Sequence, residues 1–138
     1  MARSSFQSSD ARSNRRFASR ATSSPGYAEQ VLPYEISPAE LASLQREGKA
    51  PTVVDVREPW EVSTASLPGT VNIPMGEIPS RAHAELDPDA PVVILCHHGA
   101  RSLSVTNWLR NQGFDQAQSL AGGIDQWSLE IDHSVPRY

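Results

Sequence analysis

Cysteine is almost absent from this chain: of its 138 residues only Cys96 carries a thiol. A lone thiol excludes an intramolecular disulfide and a Cys-x-x-Cys redox pair, and it fits a reducing compartment. Long apolar runs are missing too. None approaches the roughly 18–20 residues that span a bilayer, so no membrane is expected as a partner. The first 26 residues lack the apolar stretch of a secretory signal. Basic residues are scarce beyond that segment. Residues 1–26 hold Arg3, Arg12, Arg15, Arg16 and Arg20 against Asp10, while the whole chain has a net charge of −4, so the remainder is distinctly acidic. Nucleic-acid binding needs a basic face, and none is expected here.

Residues 1–26 are rich in Ser and Arg and poor in large apolar side chains. Such a segment buries too little surface to offset its ordering entropy. It reads as a disordered extension, or as an organelle transit segment, whose signature is Ser/Arg-rich and acid-poor. The expected organisation is therefore this extension followed by one domain over residues 27–138, long enough to bury a core. The expected location is the cytoplasm, with a plastid or another organelle as the alternative if the extension is cleaved.

From Tyr34 onward, strand-like and helix-like stretches alternate. Glu35-Ile36 is a short strand. Ser37, Pro38 and Glu40 form a capping box with proline at the first helical position, and Leu41 and Leu44 give that helix an apolar face. Pro51 to Val56 is a compact β-branched run, so a buried strand. Pro59 to Ala65 reads as a short helix, Val71 to Ile73 as a strand, and Ile78 to Leu86 as a helix. Val92 to Leu95 is continuously apolar, as a central parallel strand covered on both faces requires. Ser102 to Gln112 reads as a helix closed by Gly113, with Leu103, Thr106 and Leu109 toward the sheet and Val105 and Trp108 beside them. Gln118 to Leu120 is a last strand, Gly122-Gly123 breaks it, and a helix with Trp127 in the core follows. The alternation predicts an α/β fold with a mostly parallel five-stranded sheet, right-handed crossovers and helices on both faces. Residues 131–138 show no interpretable period.

Chemistry concentrates between Leu95 and Ser102. Cys96 stands where a central strand ends and a helix is about to begin. Ligand sites in open α/β sheets lie at the carboxyl ends of strands. A helix N-terminus there supplies unpaired N–H groups and the positive end of a dipole. Successive loop N–H groups form an anion nest. All three favour a thiolate, which is the nucleophile. Arg101 adds a fixed charge, and Gly99 permits tight curvature. Cys96, His97 and His98 are contiguous while His83 and His133 lie elsewhere, a poor spacing for a metal, so no metal is expected. His97 and His98 instead read as tuning charge at the loop near neutral pH.

Cys96-x-x-Gly99-x-Arg101 after an apolar strand resembles the active-site loop of rhodanese-domain sulfurtransferases. Val54-Asp55-Val56-Arg57-Glu58-Pro59-Trp60-Glu61, with its second acid three residues after the first, Leu67-Pro68-Gly69-Thr70-Val71-Asn72-Ile73-Pro74 and Leu120-Ala121-Gly122-Gly123-Ile124-Asp125-Gln126-Trp127 are similar to three further segments of that family, in the same order. Glu58 and Glu61 read as supporting the loop framework or facing solvent. The match departs at Ala65-Ser66, where the family often carries a histidine. It departs again at His97, where many thiosulfate-using relatives carry arginine. The resemblance implies a cofactor-free sulfurtransferase. Cys96 takes sulfur from a small anionic donor such as thiosulfate, forms a persulfide, and gives the sulfur to cyanide, a thiol or a protein. It implies that backbone N–H groups from His97, His98, Gly99, Ala100 and Arg101 stabilise the persulfide. Arg101 binds the donor or orients the loop, and Ser102 caps the helix or meets the sulfur. Arg57 attracts the donor, and Asp55 is structural support. Phosphatases of the related fold use Cys-x₅-Arg, one residue longer than the spacing here. A non-catalytic interaction module and a dedicated protein sulfur carrier are the other readings.

Overall fold

A computed structural model of the chain describes residues 32–138. The basic extension over residues 1–26, and the boundary drawn at residue 27, lie outside the described residues. The element order is β1 (Glu35–Ile36), α1 (Pro38–Arg46), β2 (Thr52–Asp55), α2 (Pro59–Thr64), β3 (Val71–Asn72), a 3-10 turn (Met75–Glu77), α3 (Ile78–Glu85), β4 (Val92–Leu95), α4 (Ala100–Asn111), β5 (Ala117–Leu120) and α5 (Gly123–Glu130). The strands form one sheet in the order β1-β5-β4-β2-β3. Every neighbouring pair is parallel.

Period-two alternation builds a core on each face of this sheet. Val53, Val93 and Leu95 point to one side and pack with Leu41 of α1 and Ile124 and Trp127 of α5. Val54, Val92 and Ile94 point to the other and pack with Ile78 and Ala82 of α3 and Val105 and Leu109 of α4. All four residues of β4 are buried, as its unbroken apolar run predicts. The start of α1 also follows its sequence. The Glu40 N–H donates to Ser37 Oγ at 3.1 Å, and the Ser37 N–H donates to a Glu40 carboxylate oxygen at 3.0 Å.

The helix after Cys96 differs from expectation at its start. It begins at Ala100, because Gly99 already turns the chain at φ +110°. Its buried stripe is Ser102, Val105, Thr106 and Leu109, a complete i, i+3, i+4, i+7 face. Leu103, expected toward the sheet, is therefore 39% exposed. Among the described residues, no helix is long and apolar enough to cross a membrane.

The topology fixes where a site can form. From β2 the chain crosses outward to β3, and from β4 it crosses the opposite way to β5. The adjacent strands β2 and β4 thus flank a topological switch point, the usual ligand crevice of an open parallel sheet. Asp55 and Arg57 lie at the carboxyl end of β2 and Cys96 at that of β4.

Candidate active site

Cys96 follows the last residue of β4 and is 1% exposed. Its Sγ accepts N–H hydrogen bonds from Gly99 at 3.0 Å and from Ser102 at 3.3 Å. The thiol lies 3.3 Å from Ser102 Oγ, which is 2.7 Å from the Ser119 hydroxyl and donates to the Gly99 carbonyl at 3.1 Å. Gly99 directs its N–H at the sulfur only because its φ of +110° reverses the chain, a conformation that side chains oppose. The following N–H groups of α4 have no partner within their own helix. Ser102 sits in the first turn of α4, not at its cap, and touches the sulfur from there.

The loop is held from behind by α5. The Ile124 N–H donates to the Cys96 carbonyl at 2.8 Å and the Asp125 N–H to the His97 carbonyl at 3.1 Å. These bonds engage the carbonyls of Cys96 and His97, so α5 holds the loop without drawing on its N–H groups. A Cβ at Gly123 would lie 2.5 Å from the Cys96 carbonyl oxygen, so only glycine fits between α5 and the loop. The sequence reveals Gly122-Gly123 as a strand breaker; its contact with the cysteine loop appears only in three dimensions.

Arg101 is locked. Its Nη1 and Nη2 donate to Glu61 Oε1 and Oε2 at 2.8 and 2.9 Å. Glu61, 5% exposed, also accepts the Glu58 N–H at 3.0 Å and the Tyr138 hydroxyl at 2.9 Å. These donors, Arg101 foremost, hold its carboxyl well below the usual range, at about 2. Arg101 therefore acts on the loop as half of a bidentate ion pair rather than as a free cation.

Arg57 is not brought to the loop surface. It is fully buried, and its five guanidinium N–H groups are all used. Two go to Asp55, and one each to the Glu61 carbonyl, the Ala65 carbonyl and the Tyr138 hydroxyl. The expectation that Arg57 attracts the donor is corrected accordingly: no donor atom is left for a ligand. Asp55, also fully buried, takes the Arg57 N–H as well at 3.1 Å. Breaking such a buried pair from one side costs about 3–5 kcal/mol.

His97 and His98 stack on each other, ring centroids 3.9 Å apart, and Tyr138 covers the other face of His97 at 3.9 Å with planes 4° apart. Burial, then repulsion from His98, pushes His97 below the ordinary imidazole range. Its Nε2 is buried without a hydrogen-bond partner. His97 is therefore neutral near pH 7 and does not supply the charge expected of it. His98 is 64% exposed with Nδ1 3.9 Å from Asp125. One atom each from His97, His98 and Asp125 lie within 4.8 Å of one another. The two rings are stacked, so their in-plane lone pairs run side by side rather than converging, and Asp125 is already engaged by Arg137 at 2.8 Å. This is not the geometry of a closed metal site. Ala100 is exposed at the first position of α4.

Tyr138 is the residue the sequence did not reveal. It ties Arg57 to Glu61, lies on His97, and meets Trp60 edge-on with centroids 6.3 Å apart. No periodicity marks it, because it reaches the site from a segment without regular structure. Ser119, inward-facing on β5, was likewise visible only as a strand residue.

The fold and this cysteine loop define the class: residues 37–130 match the rhodanese-like domain, and the chain belongs to that family. It is 40% identical over 89 residues to the rhodanese-like/PpiC domain-containing protein 12, chloroplastic, of Arabidopsis thaliana, covering 62% of this chain and 30% of that protein's length. It is 34% identical over 102 residues to a sulfurtransferase of Allochromatium vinosum, covering 74% of this chain and 92% of that protein. The human single-domain sulfurtransferase TSTD1 superposes with a TM-score of 0.62 at 27% identity, covering 72% of this chain and 98% of that one.

Proposed function

We propose that this domain is a sulfurtransferase that carries sulfane sulfur as a persulfide on Cys96. The observation that carries the reading is the pair of N–H groups, from Gly99 and Ser102, that converge on Cys96 Sγ at the N-terminus of α4. Hydrogen bonds of this kind favour negative charge on sulfur. Relatives named as sulfurtransferases support it.

In the first displacement, the Cys96 thiolate attacks the outer sulfur of a donor. A new S–S bond forms, the donor's S–S bond breaks, and its electron pair leaves with the carrier, as sulfite when the donor is thiosulfate. The terminal sulfur of the persulfide keeps the negative charge and meets the N–H groups of the loop. In the second displacement an acceptor (cyanide, a thiol or a protein) attacks that sulfur, and Cys96 leaves as the thiolate. Arg101, held by Glu61, orients the loop, and Ser102 supports the sulfur from the helix. No cofactor enters either step.

The test is steady-state turnover of thiosulfate and cyanide to thiocyanate and sulfite, with Cys96→Ser beside it. Turnover by the wild type alone supports the cycle. Equal background in both, with thiosulfate and with an organic thiosulfonate as donor, rejects it and favours an interaction module. For location, the basic extension and the name of the Arabidopsis relative favour an organelle over the cytoplasm, and the mass of the mature protein decides whether residues 1–26 are removed.

A further inference from the structure

The proposed persulfide cycle leaves its donor open, and the charges around the loop narrow it. Resting on that reading, we infer that the donor is a singly charged organic sulfane-sulfur compound, its transferred sulfur borne on an uncharged organic body, rather than the thiosulfate dianion.

Each arginine near the loop is already matched. Arg101 gives both terminal nitrogens to Glu61. Arg137 gives Nε and Nη2 to Asp125 at 2.8 and 3.3 Å. Arg57 is interior and has spent its donors. The Glu61 carboxyl, held at about 2, stays ionised at any physiological pH, so its pair with Arg101 stays neutral overall. His97 is pushed toward its neutral form by burial. What remains positive is the N-terminus of α4, worth about half an elementary charge. That field is directed at the Cys96 sulfur, where the persulfide anion forms. A sulfonate head would bring further negative charge beside the Glu61 and Asp125 carboxylates, with no free cation among the described residues of the loop to meet it.

An organic body finds a better surface. Trp60, Tyr138, His97 and His98 form a row of four rings beside the loop, joined by an edge contact at 6.3 Å and two stacks at 3.9 Å. Trp60 is 65% exposed. It is a large aromatic side chain in open view next to Glu61. Such faces take apolar and π-bearing groups.

The experiment compares thiosulfate with benzenethiosulfonate as donors to the full-length protein, reading the second-order rate of sulfur gain on Cys96 by intact mass. Each rate is divided by that of the same donor with a free small thiol, which removes intrinsic reactivity. In the transfer from benzenethiosulfonate the outer sulfur bonds to Cys96, its bond to the sulfonyl sulfur breaks, and benzenesulfinate leaves with the electron pair. The expected result is a normalised rate about tenfold or more higher for benzenethiosulfonate. Thiosulfate should show a rate flat or rising from about 0.02 to 0.5 M salt, because among the described residues no unpaired cation at the loop steers it. Trp60→Ala, at an exposed position, should slow benzenethiosulfonate several-fold and leave thiosulfate unchanged. Asp125→Asn, which releases Arg137, should speed thiosulfate several-fold. A normalised preference for thiosulfate, with a rate that falls steeply with salt, overturns the inference while the persulfide cycle stands. Sulfur gain from neither donor overturns both.

Discussion

Glu61 is the residue on which the site's charge balance turns, and Glu61→Gln removes its charge while keeping its shape. The carboxyl sits at about 2 in the folded protein against an ordinary 4.5. Each unit of difference is worth about 1.4 kcal/mol, so full burial of the pair would give about 3 kcal/mol. The Arg101 side chain is 36% exposed, and solvent screening lowers this to about 2 kcal/mol. Because the folded value is depressed, the contribution is complete above pH 4.5 and is lost as the pH falls toward 2. Urea unfolding of wild type and variant should differ by about 2 kcal/mol at pH 7 and by about 1 kcal/mol less near pH 3.5. A variant as stable as the wild type at pH 7, or a difference that does not change between pH 7 and 3.5, would refute the electrostatic account of this pair.

Three further substitutions follow from the geometry. Gly123→Ala places a Cβ against the Cys96 and His97 carbonyls at φ +63°; it should destabilise by about 3 kcal/mol or more and abolish sulfur gain on Cys96, checked by urea titration and intact mass. Ser102→Ala strips the sulfur of one neighbour and leaves the buried Ser119 hydroxyl without its partner; a cost of about 1–3 kcal/mol and several-fold slower sulfur loading are expected from the same two measurements. Tyr138→Phe keeps the stack on His97 but removes the hydroxyl between Arg57 and Glu61; the melting temperature should fall by about 4 °C or more, read by circular dichroism, and Tyr138→Ala should fall further.

Sequence patterns specified most of this architecture, since hydrophobic period and capping chemistry are local. The apolar run at Val92–Leu95 and the Ser37–Glu40 box each correspond to an observed element. The start of α4 was misplaced by two residues because Gly99, read only as a loop residue, is itself the left-handed pivot into the helix. Leu103 lies outside the core because the buried stripe runs through Ser102, Val105, Thr106 and Leu109, one position off the stripe its apolar character suggests. At the site, the contiguous loop was legible because strand, cysteine, glycine and helix follow one another in the chain. Partners distant in sequence were not. The Glu61–Arg101 pair spans 40 residues and the Arg57–Tyr138 bond spans 81, and no spacing rule connects such positions. Arg57 shows the same limit: its charge suggested a ligand, whereas only the fold shows that the protein itself consumes every donor.

The most direct test of the central claim is the intact mass of the wild-type protein and of Cys96→Ser, before and after a sulfane-sulfur donor and again after cyanide. The account predicts that the wild type gains one sulfur atom, loses it to cyanide, and that the variant gains none. A sulfur gain that survives in Cys96→Ser, or no gain in a folded wild type with a titratable thiol, would contradict it.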